Sequence, residues 1–348
     1  MDGSTIMIMV TLTVMAVVFF DFTNGFHDAS NMIATLVAAR AMSPAQSVVL
    51  VGSFTFLGPL IGGTAVANTI GSFVDLSALR QLDALGIVAS GVVGAIAWNL
   101  LTWRLSIPSS SSHALVGGLV GAVLVSAGAE EVVWGLRELS EGKLTGVMKI
   151  VLTLFLSPLV GFVVGFVIHR VMRFLLRAAQ PSINQWLRRA QWITAAGLAF
   201  AHGTNDAQKG MGIITLVLLL GGALDNFHVP LWVIIVSAAS ITLGTVSGGW
   251  NIVRTVGFGI YKLRPLHGLD VQLTSTAVII ASSMIGGPVS TTHIVSTSIM
   301  GIGASERPRA VHWDTVQQIG LTWLFTLPGA AVFAALAYLL QHFVWSLF

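Results

Sequence analysis

Apolar runs recur along almost the whole chain, at 5–20, 48–70, 85–103, 113–128, 149–168, 211–224, 229–247, 271–287 and 318–347. About 18 consecutive apolar residues suffice for a helix to cross the hydrocarbon core of a bilayer. In lipid, only helices and closed barrels satisfy their own backbone polar groups. Some of these runs are shorter than a full span and are expected to form half-helices or re-entrant segments. Charged residues are only 9% of the 348, against roughly a quarter in soluble domains, which excludes a soluble globular fold. The first run passes into "FFDFTNGFHD" without the small-residue cleavage site of a signal peptide, so it is read as part of the fold. Cysteine is absent, which removes disulfides, thiol catalysis and thiolate metal sites. The expectation is an all-α polytopic membrane protein with about 10–12 membrane segments.

Orientation follows from the arginines. The segment "HRVMRFLLRAAQPSINQWLRRA" at 169–190 holds Arg170, Arg173, Arg177, Arg188 and Arg189 and no acidic residue. Positive charge beside membrane helices marks the cytoplasmic side, so 169–190 reads as a basic cytoplasmic linker. The basic loops at 261–267 and 303–313 are expected on the same side. The first residues, "MDGSTIM", and the last, "WSLF", carry no Lys or Arg, which places both termini outside a cell (inner) membrane. With a net charge of only +3, the basic residues serve topology, and no nucleic-acid partner is expected.

The chain contains a duplication. "NGFHDASN" at 24–31 matches "HGTNDAQK" at 202–209 through Gly25, Asp28, Ala29 and Gly203, Asp206, Ala207, with Asp28 and Asp206 178 residues apart. "PSSSSH" at 108–113 matches "PVSTTH" at 288–293, with His113 and His293 180 residues apart. Two motifs recurring in one order at nearly one offset define two repeats, 1–168 and 191–348, joined at the basic linker. The first begins after an uncharged terminus and the second directly after Arg188 and Arg189. By the positive-inside rule they enter from opposite sides. Inverted repeats around broken helices are the signature of secondary transporters with a site near the midplane.

The hydroxyl phrases are candidates for an anion site. Pro108 and Pro288 each stand ahead of a run leading into a Gly/Ala/Val-rich helix, and Ser or Thr suits an N-cap. A helix start exposes unpaired N–H groups and a partial positive charge, which hold anions. Ser110, Ser111 and Ser112 with Ser290, Thr291 and Thr292 add neutral hydroxyl donors. Brought together, the two starts would surround a small tetrahedral oxyanion without the tight grip of an arginine clamp. The plainer alternative is hydroxyls bonding to backbone inside a bundle.

The acidic motifs are candidates for coupling. Asp28 and Asp206 lie in apolar surroundings beside Asn24, Asn31 and Asn205, and intramembrane carboxylates mark ion or proton paths. Carboxylate and amide oxygens suit sodium, a divalent ion or a proton. The alternative is a structural ion pair, for which Lys209, three residues after Asp206, is placed. His27, His113, His202 and His293 adjoin the motifs, and histidine switches protonation near neutral pH; His27, His113, His293 and Lys209 are the accessory candidates. The equivalent pair His113 and His293 leads this set, with a purely structural role still open. Asp21, one turn before the first motif, has no assigned role. The glycine clusters are read as sites of close helix packing. P-loop, HExxH and GxSxG patterns are absent, and nothing marks an enzyme or a cofactor beyond a co-transported cation.

Four phrases, "DFTNGFHDASN", "FAHGTNDAQKGMG", "IPSSSSHALVGG" and "GGPVSTTHIVS", together resemble the inorganic phosphate transporter (PiT) family in its compact bacterial form. The resemblance covers residues 10–340. It implies a secondary phosphate symporter with two inverted repeats and re-entrant hairpins, often a homodimer. It makes Asp28, Asp206, Asn24, Asn31 and Asn205 coupling-site candidates, and the six hydroxyl residues phosphate ligands. His27 and Lys209 depart from the asparagines many members carry, and Thr55, Val88 and Gln272 stand where the sodium-coupled branch tends to have glutamates. Fewer carboxylates make a proton, or a neutral metal–phosphate complex, as suitable as sodium.

The expected function is therefore symport of inorganic phosphate by alternating access in a lipid membrane. The rival substrate is sulfate, which cannot offer a protonated oxygen to a carboxylate at neutral pH. An anion channel, the rival of another class, would have no need of buried aspartates.

Overall fold

The computed structural model describes residues 3–248, 252–253 and 255–347. The extreme ends of both termini, and Gly249 and Trp250 of the glycine cluster "SGGW", lie outside the described residues. Among the described residues the chain forms, in order, α1 Gly3–Ala38, α2 Pro44–Ile61, α3 Ala65–Gly71, α4 Gln81–Arg104, α5 Ser111–Ser126, α6 Leu136–Ser140, α7 Gly146–Leu175, α8 Ile183–Leu220, α9 Leu231–Ser247, α10 Pro265–Met284, α11 Thr291–Glu306 and α12 Trp313–Trp345. A π-helical turn at Thr255–Gly259 leads toward α10.

Among the described residues, α1, α2, α4, α7 and α12 are long and apolar enough to cross a membrane, and the shorter α5 and α9 are also apolar. The 38-residue α8 and α10 are not in that set, because each carries polar residues through its length. At 1.5 Å per residue, α1 and α8 reach about 55 Å, well beyond a bilayer core of about 30 Å. Both carboxylate motifs lie inside these two unbroken helices. The breaks fall instead at the hydroxyl phrases. The basic segment 169–190 is helical at both ends, with only 176–182 between α7 and α8, and its five arginines are all exposed.

Two separate apolar cores explain the layout. One gathers Val17 and Phe20 of α1, Leu85 and Val92 of α4, Leu115 and Leu119 of α5, and Met211 and Ile214 of α8. The other gathers Met32 and Ile33 of α1, Leu198 and Ala201 of α8, Val278 and Ile279 of α10, and Ile294 and Ile299 of α11. Along α1 the chain leaves the first core at Phe20 and enters the second at Ala29; along α8 it leaves the second at Ala201 and enters the first at Ala207. The two long helices therefore run in opposite senses, and their motifs fill the polar layer between the cores. The α4–α5 hairpin descends to this layer from the first core, and the α10–α11 hairpin from the second.

The two hairpin turns are built alike. Ser106 (φ 59°) and Gly286 (φ 67°), 180 residues apart, both take the left-handed conformation that ends a helix. Ile107 N–H donates to the Thr102 carbonyl and Gly287 N–H to the Ser282 carbonyl; these are matching C-terminal closures. Serine adopts this backbone less readily than glycine. The long helices also pack in matching pairs through the glycine each motif carries. A Cβ at Gly25 would collide with the Ile241 carbonyl of α9, and one at Gly203 with the Thr55 carbonyl of α2.

The basic loops share one end of the bundle. Arg264 approaches Glu306, and His169 at the end of α7 reaches Asp270 of α10. The first turns of α1 and the last turn of α12 meet at the other end, where Thr5 and Met9 line one cavity with His342 and Trp345.

Candidate functional site

Helix geometry fixes what the motifs can present. Asn24, Asp28 and Asn31 recur at spacings that place them on one face of α1, and His202, Asp206 and Lys209 do the same on α8. All six are buried. Because the breaks before α5 and α11 fall in the same layer, both hydroxyl phrases start their helices against these faces.

Each phrase divides its labour. Ser110 and Ser290 are the N-caps of α5 and α11, each accepting the backbone N–H three residues on, His113 or His293, at 3.2 Å. The following residues point into the layer. Ser111 Oγ donates to Asn24 Oδ1 at 2.6 Å, and Ser112 Oγ donates to the Val289 carbonyl at 2.9 Å, joining the two hairpin tips. Thr292 Oγ1 donates to Asp28 Oδ1 at 2.8 Å and accepts from Asn31 Nδ2 at 2.9 Å. Thr291 Oγ1 lies between the carboxylates, 3.2 Å from Asp28 Oδ2 and 3.0 Å from Asp206 Oδ2. Asn205 holds the second tip, donating to Ser283 Oγ at 2.9 Å and accepting the Val289 N–H at 3.4 Å.

The surroundings of the two carboxylates differ. Lys209 Nζ lies 2.5 Å from Asp206 Oδ1, so a fixed cation is paired with Asp206. The only basic groups at Asp28 among the described residues are histidines: His27 Nδ1 at 3.2 Å and His202 Nε2 at 3.8 Å. His202 Nε2 is also 3.0 Å from Asp206 Oδ2. Asp28, His202 and Asp206 thus bring three donor atoms within 4.8 Å of one another, a grouping that can hold a cation. Asp21, buried as well, rests against Gly210, where a Cβ would meet its carboxylate oxygens.

Of the histidines, His27 is near Thr102 and Ser109, with 3.4 Å from its Nε2 to each hydroxyl. His113 and His293 pack side by side with ring centroids 4.7 Å apart, and His293 stacks on Trp323 at 3.8 Å. They sit behind the caps and do not touch the carboxylates within hydrogen-bonding range. The sequence sets His202 beside the second motif but not among the accessory candidates, and its position between the two carboxylates is a finding of the structure. The signal for it exists: aligning the two motifs sets His202 opposite Asn24, and His27 opposite Asn205. Ser283 and Gln208, whose side chain accepts the Val66 N–H at 2.8 Å, carry no such signal.

A helical membrane bundle with carboxylates, hydroxyls and two helix starts gathered between its cores is built as a multi-pass transporter. Its sequence matches the model of the phosphate transporter family over residues 24–334. A probable low-affinity inorganic phosphate transporter of Bacillus subtilis (strain 168) is 38% identical over 342 residues, covering 97% of this chain and 99% of that protein. One of Rhizobium meliloti (strain 1021) is 39% identical, covering 92% of each. A solved structure titled the sodium-dependent phosphate transporter shares the fold, with a TM-score of 0.85 over 97% of this chain and 99% of that one at 21% identity. The chain belongs to the phosphate transporter family; it is a transporter and not an enzyme.

Proposed function

We propose that the protein is a symporter that imports inorganic phosphate across the cell membrane by alternating access, coupled to a proton or cation gradient. The observation that carries this reading is Thr291, whose single hydroxyl lies between Asp28 and Asp206 at the start of α11. Hydroxyls that would grip an oxyanion are the same ones that now satisfy the carboxylates. A phosphate entering between α5 and α11 recruits Thr291, Thr292 and Ser111 and strips donors from Asp28, Asp206 and Asn24. Buried carboxylates without donors are costly, so the exchange proceeds when a cation or proton neutralises them. Coupling then follows from shared donors.

Ser112, Ser110 and Ser290 shape the tips, and the N–H groups of the two helix starts add further donors. His27 and His202, beside the carboxylates, are the histidines that would accept or pass protons, with His113 and His293 behind them. Lys209 already neutralises part of Asp206, which leaves Asp28 with His202 as the seat for the coupling proton, sodium or divalent ion, the last as a metal–phosphate complex. Phosphate is favoured over sulfate because its protonated oxygen can donate to Asp28 or Asp206.

Supporting the inverted-repeat reading, α1 and α8 cross the layer in opposite senses and the two hairpins approach it from opposite cores. The basic end of the bundle is the cytoplasmic one, and the termini lie outside. Exposed Phe155, Leu159, Leu324 and Phe325 on α7 and α12 suit lipid contact or a homodimer interface. The decisive experiment is phosphate uptake into proteoliposomes, with pH, sodium and divalent metals varied separately and sulfate as competitor. Accumulation against a gradient that depends on one of these cations is expected; uptake that never exceeds equilibrium would return the protein to a channel.

A further inference from the structure

A second cluster of ionisable groups lies away from the central layer, at the basic end of the bundle. His169 is on the last buried turn of α7, His267 and Asp270 on the first turns of α10, and Glu306 at the end of α11. One donor atom from each of His169, His267 and Glu306 falls within 4.8 Å of the other two. His169 is 1% exposed, His267 2% and Asp270 0%.

We propose that His169, His267 and Glu306 form a binding site for a divalent transition metal of the zinc class, with Asp270 as the positioning residue for His169. The hydrogen bonds set up the chemistry. His169 Nδ1 lies 2.7 Å from Asp270 Oδ2, so its ring proton is held there and the lone pair stays on Nε2. That Nε2 is buried with no hydrogen-bond partner among the described residues. A carboxylate on one ring nitrogen and a free lone pair on the other is the arrangement that orients metal-binding histidines. Glu306 is drawn into the cluster by Tyr261 Oη at 2.8 Å and His267 Nε2 at 2.9 Å.

Two imidazoles and one carboxylate with an open position suit Zn2+ or Co2+ rather than Mg2+ or Ca2+, which prefer oxygen alone. Ligand atoms about 2.1 Å from a tetrahedral zinc are about 3.4 Å apart, so loading draws the three side chains together by little more than 1 Å. It also displaces the ring proton of His267 from Nε2, where it faces Glu306, to Nδ1. His267 Nδ1 accepts the Arg264 N–H at 3.2 Å, and this cap must loosen as the ring proton moves to Nδ1. A bound metal would tie α7, from the first half of the chain, to α10 and α11 of the second.

The test is direct binding of Zn2+ or Co2+ to the full-length protein in detergent, without phosphate. A His202→Gln background disables the central grouping. That background should keep one equivalent of Zn2+, and Co2+ should show visible ligand-field bands from mixed imidazole and carboxylate ligation. Adding His169→Gln should abolish both. Adding Asp270→Asn, which preserves shape and leaves Nε2 in place, should weaken binding by about 10–100-fold. No stoichiometric binding in the His202→Gln protein, or affinity unchanged by His169→Gln, overturns the site. Should His169→Gln fail to fold, judged by size exclusion, unchanged affinity in Asp270→Asn overturns it equally.

Discussion

The two carboxylate motifs occupy matching turns of two long helices, yet their neighbours differ. Asn24, His27 and Asn31 of the first become His202, Asn205 and Lys209 of the second. Asp206 is paired with a buried ammonium, whereas Asp28 relies on two hydroxyls and on histidines whose charge depends on protonation. The lesson is that the two motifs match in their helix packing, while their polar neighbours differ. One carboxylate has a lysine partner within the protein itself. The other has no lysine or arginine in ion-pair range among the described residues.

The largest expected effect separates the copies by function. Asp28→Asn should abolish gradient-driven phosphate accumulation in proteoliposomes while the protein still purifies as a folded species; normal accumulation would break the comparison at its centre. The largest stability effect belongs to the other copy. Lys209→Met leaves Asp206 buried beside an apolar side chain, and removing one partner of a buried pair costs about 3–5 kcal/mol. Thermal unfolding in detergent should show that loss, and Asp206→Asn added to Lys209→Met should recover much of it. If Asp28→Asn proves as destabilising as Lys209→Met, the two carboxylates are equivalent after all.

Packing offers a symmetric control. Gly25→Ala and Gly203→Ala each push a methyl into a facing backbone carbonyl, and overpacking of this kind costs about 1–3 kcal/mol. Similar losses of melting temperature are expected for both; a large difference would mean that the copies diverge in packing too. Thr291→Val keeps shape but removes the hydroxyl between the carboxylates, and a hydrogen bond to a charged group contributes about 1.5–3 kcal/mol. Apparent phosphate affinity should fall roughly tenfold or more, and further than for Ser112→Ala, whose hydroxyl meets a backbone carbonyl. The smallest effect concerns the hairpin turns. Ser106→Gly gives the first turn the residue that the second has at Gly286, and should stabilise by up to about 1 kcal/mol. Destabilisation there would show that the serine side chain has a role of its own.

Much of the site could be read from the chain. Asp206 and Lys209 are three residues apart on a helix, so their pairing follows from local geometry. Ser110 and Ser290 are caps because hydroxyls after a break begin helices. The positive charges at 169–190, 261–267 and 303–313 meet at one end, as like-charged loops at one face of a bilayer do. The contacts of Thr291 and Thr292 with Asp28 were out of reach, since Asp28 lies 263 and 264 residues away on α1. The same holds for His202, whose central position depends on α1 and α8 crossing face to face.

The sequence alone determined that the chain lives in a membrane, that two of its phrases recur in one order, and that its costly polar residues are confined to a few phrases. Those facts are local: apolar length, residue spacing and self-similarity need no partner to be seen. Only the tertiary structure decided which phrase meets which. The opposite courses of α1 and α8 through two separate cores bring the hydroxyls of one half onto the carboxylate of the other. Lys209 then pairs with one carboxylate, and the second meets hydroxyls and histidines. Contacts of that kind are set by how helices cross, and the crossing is fixed by packing over the whole bundle.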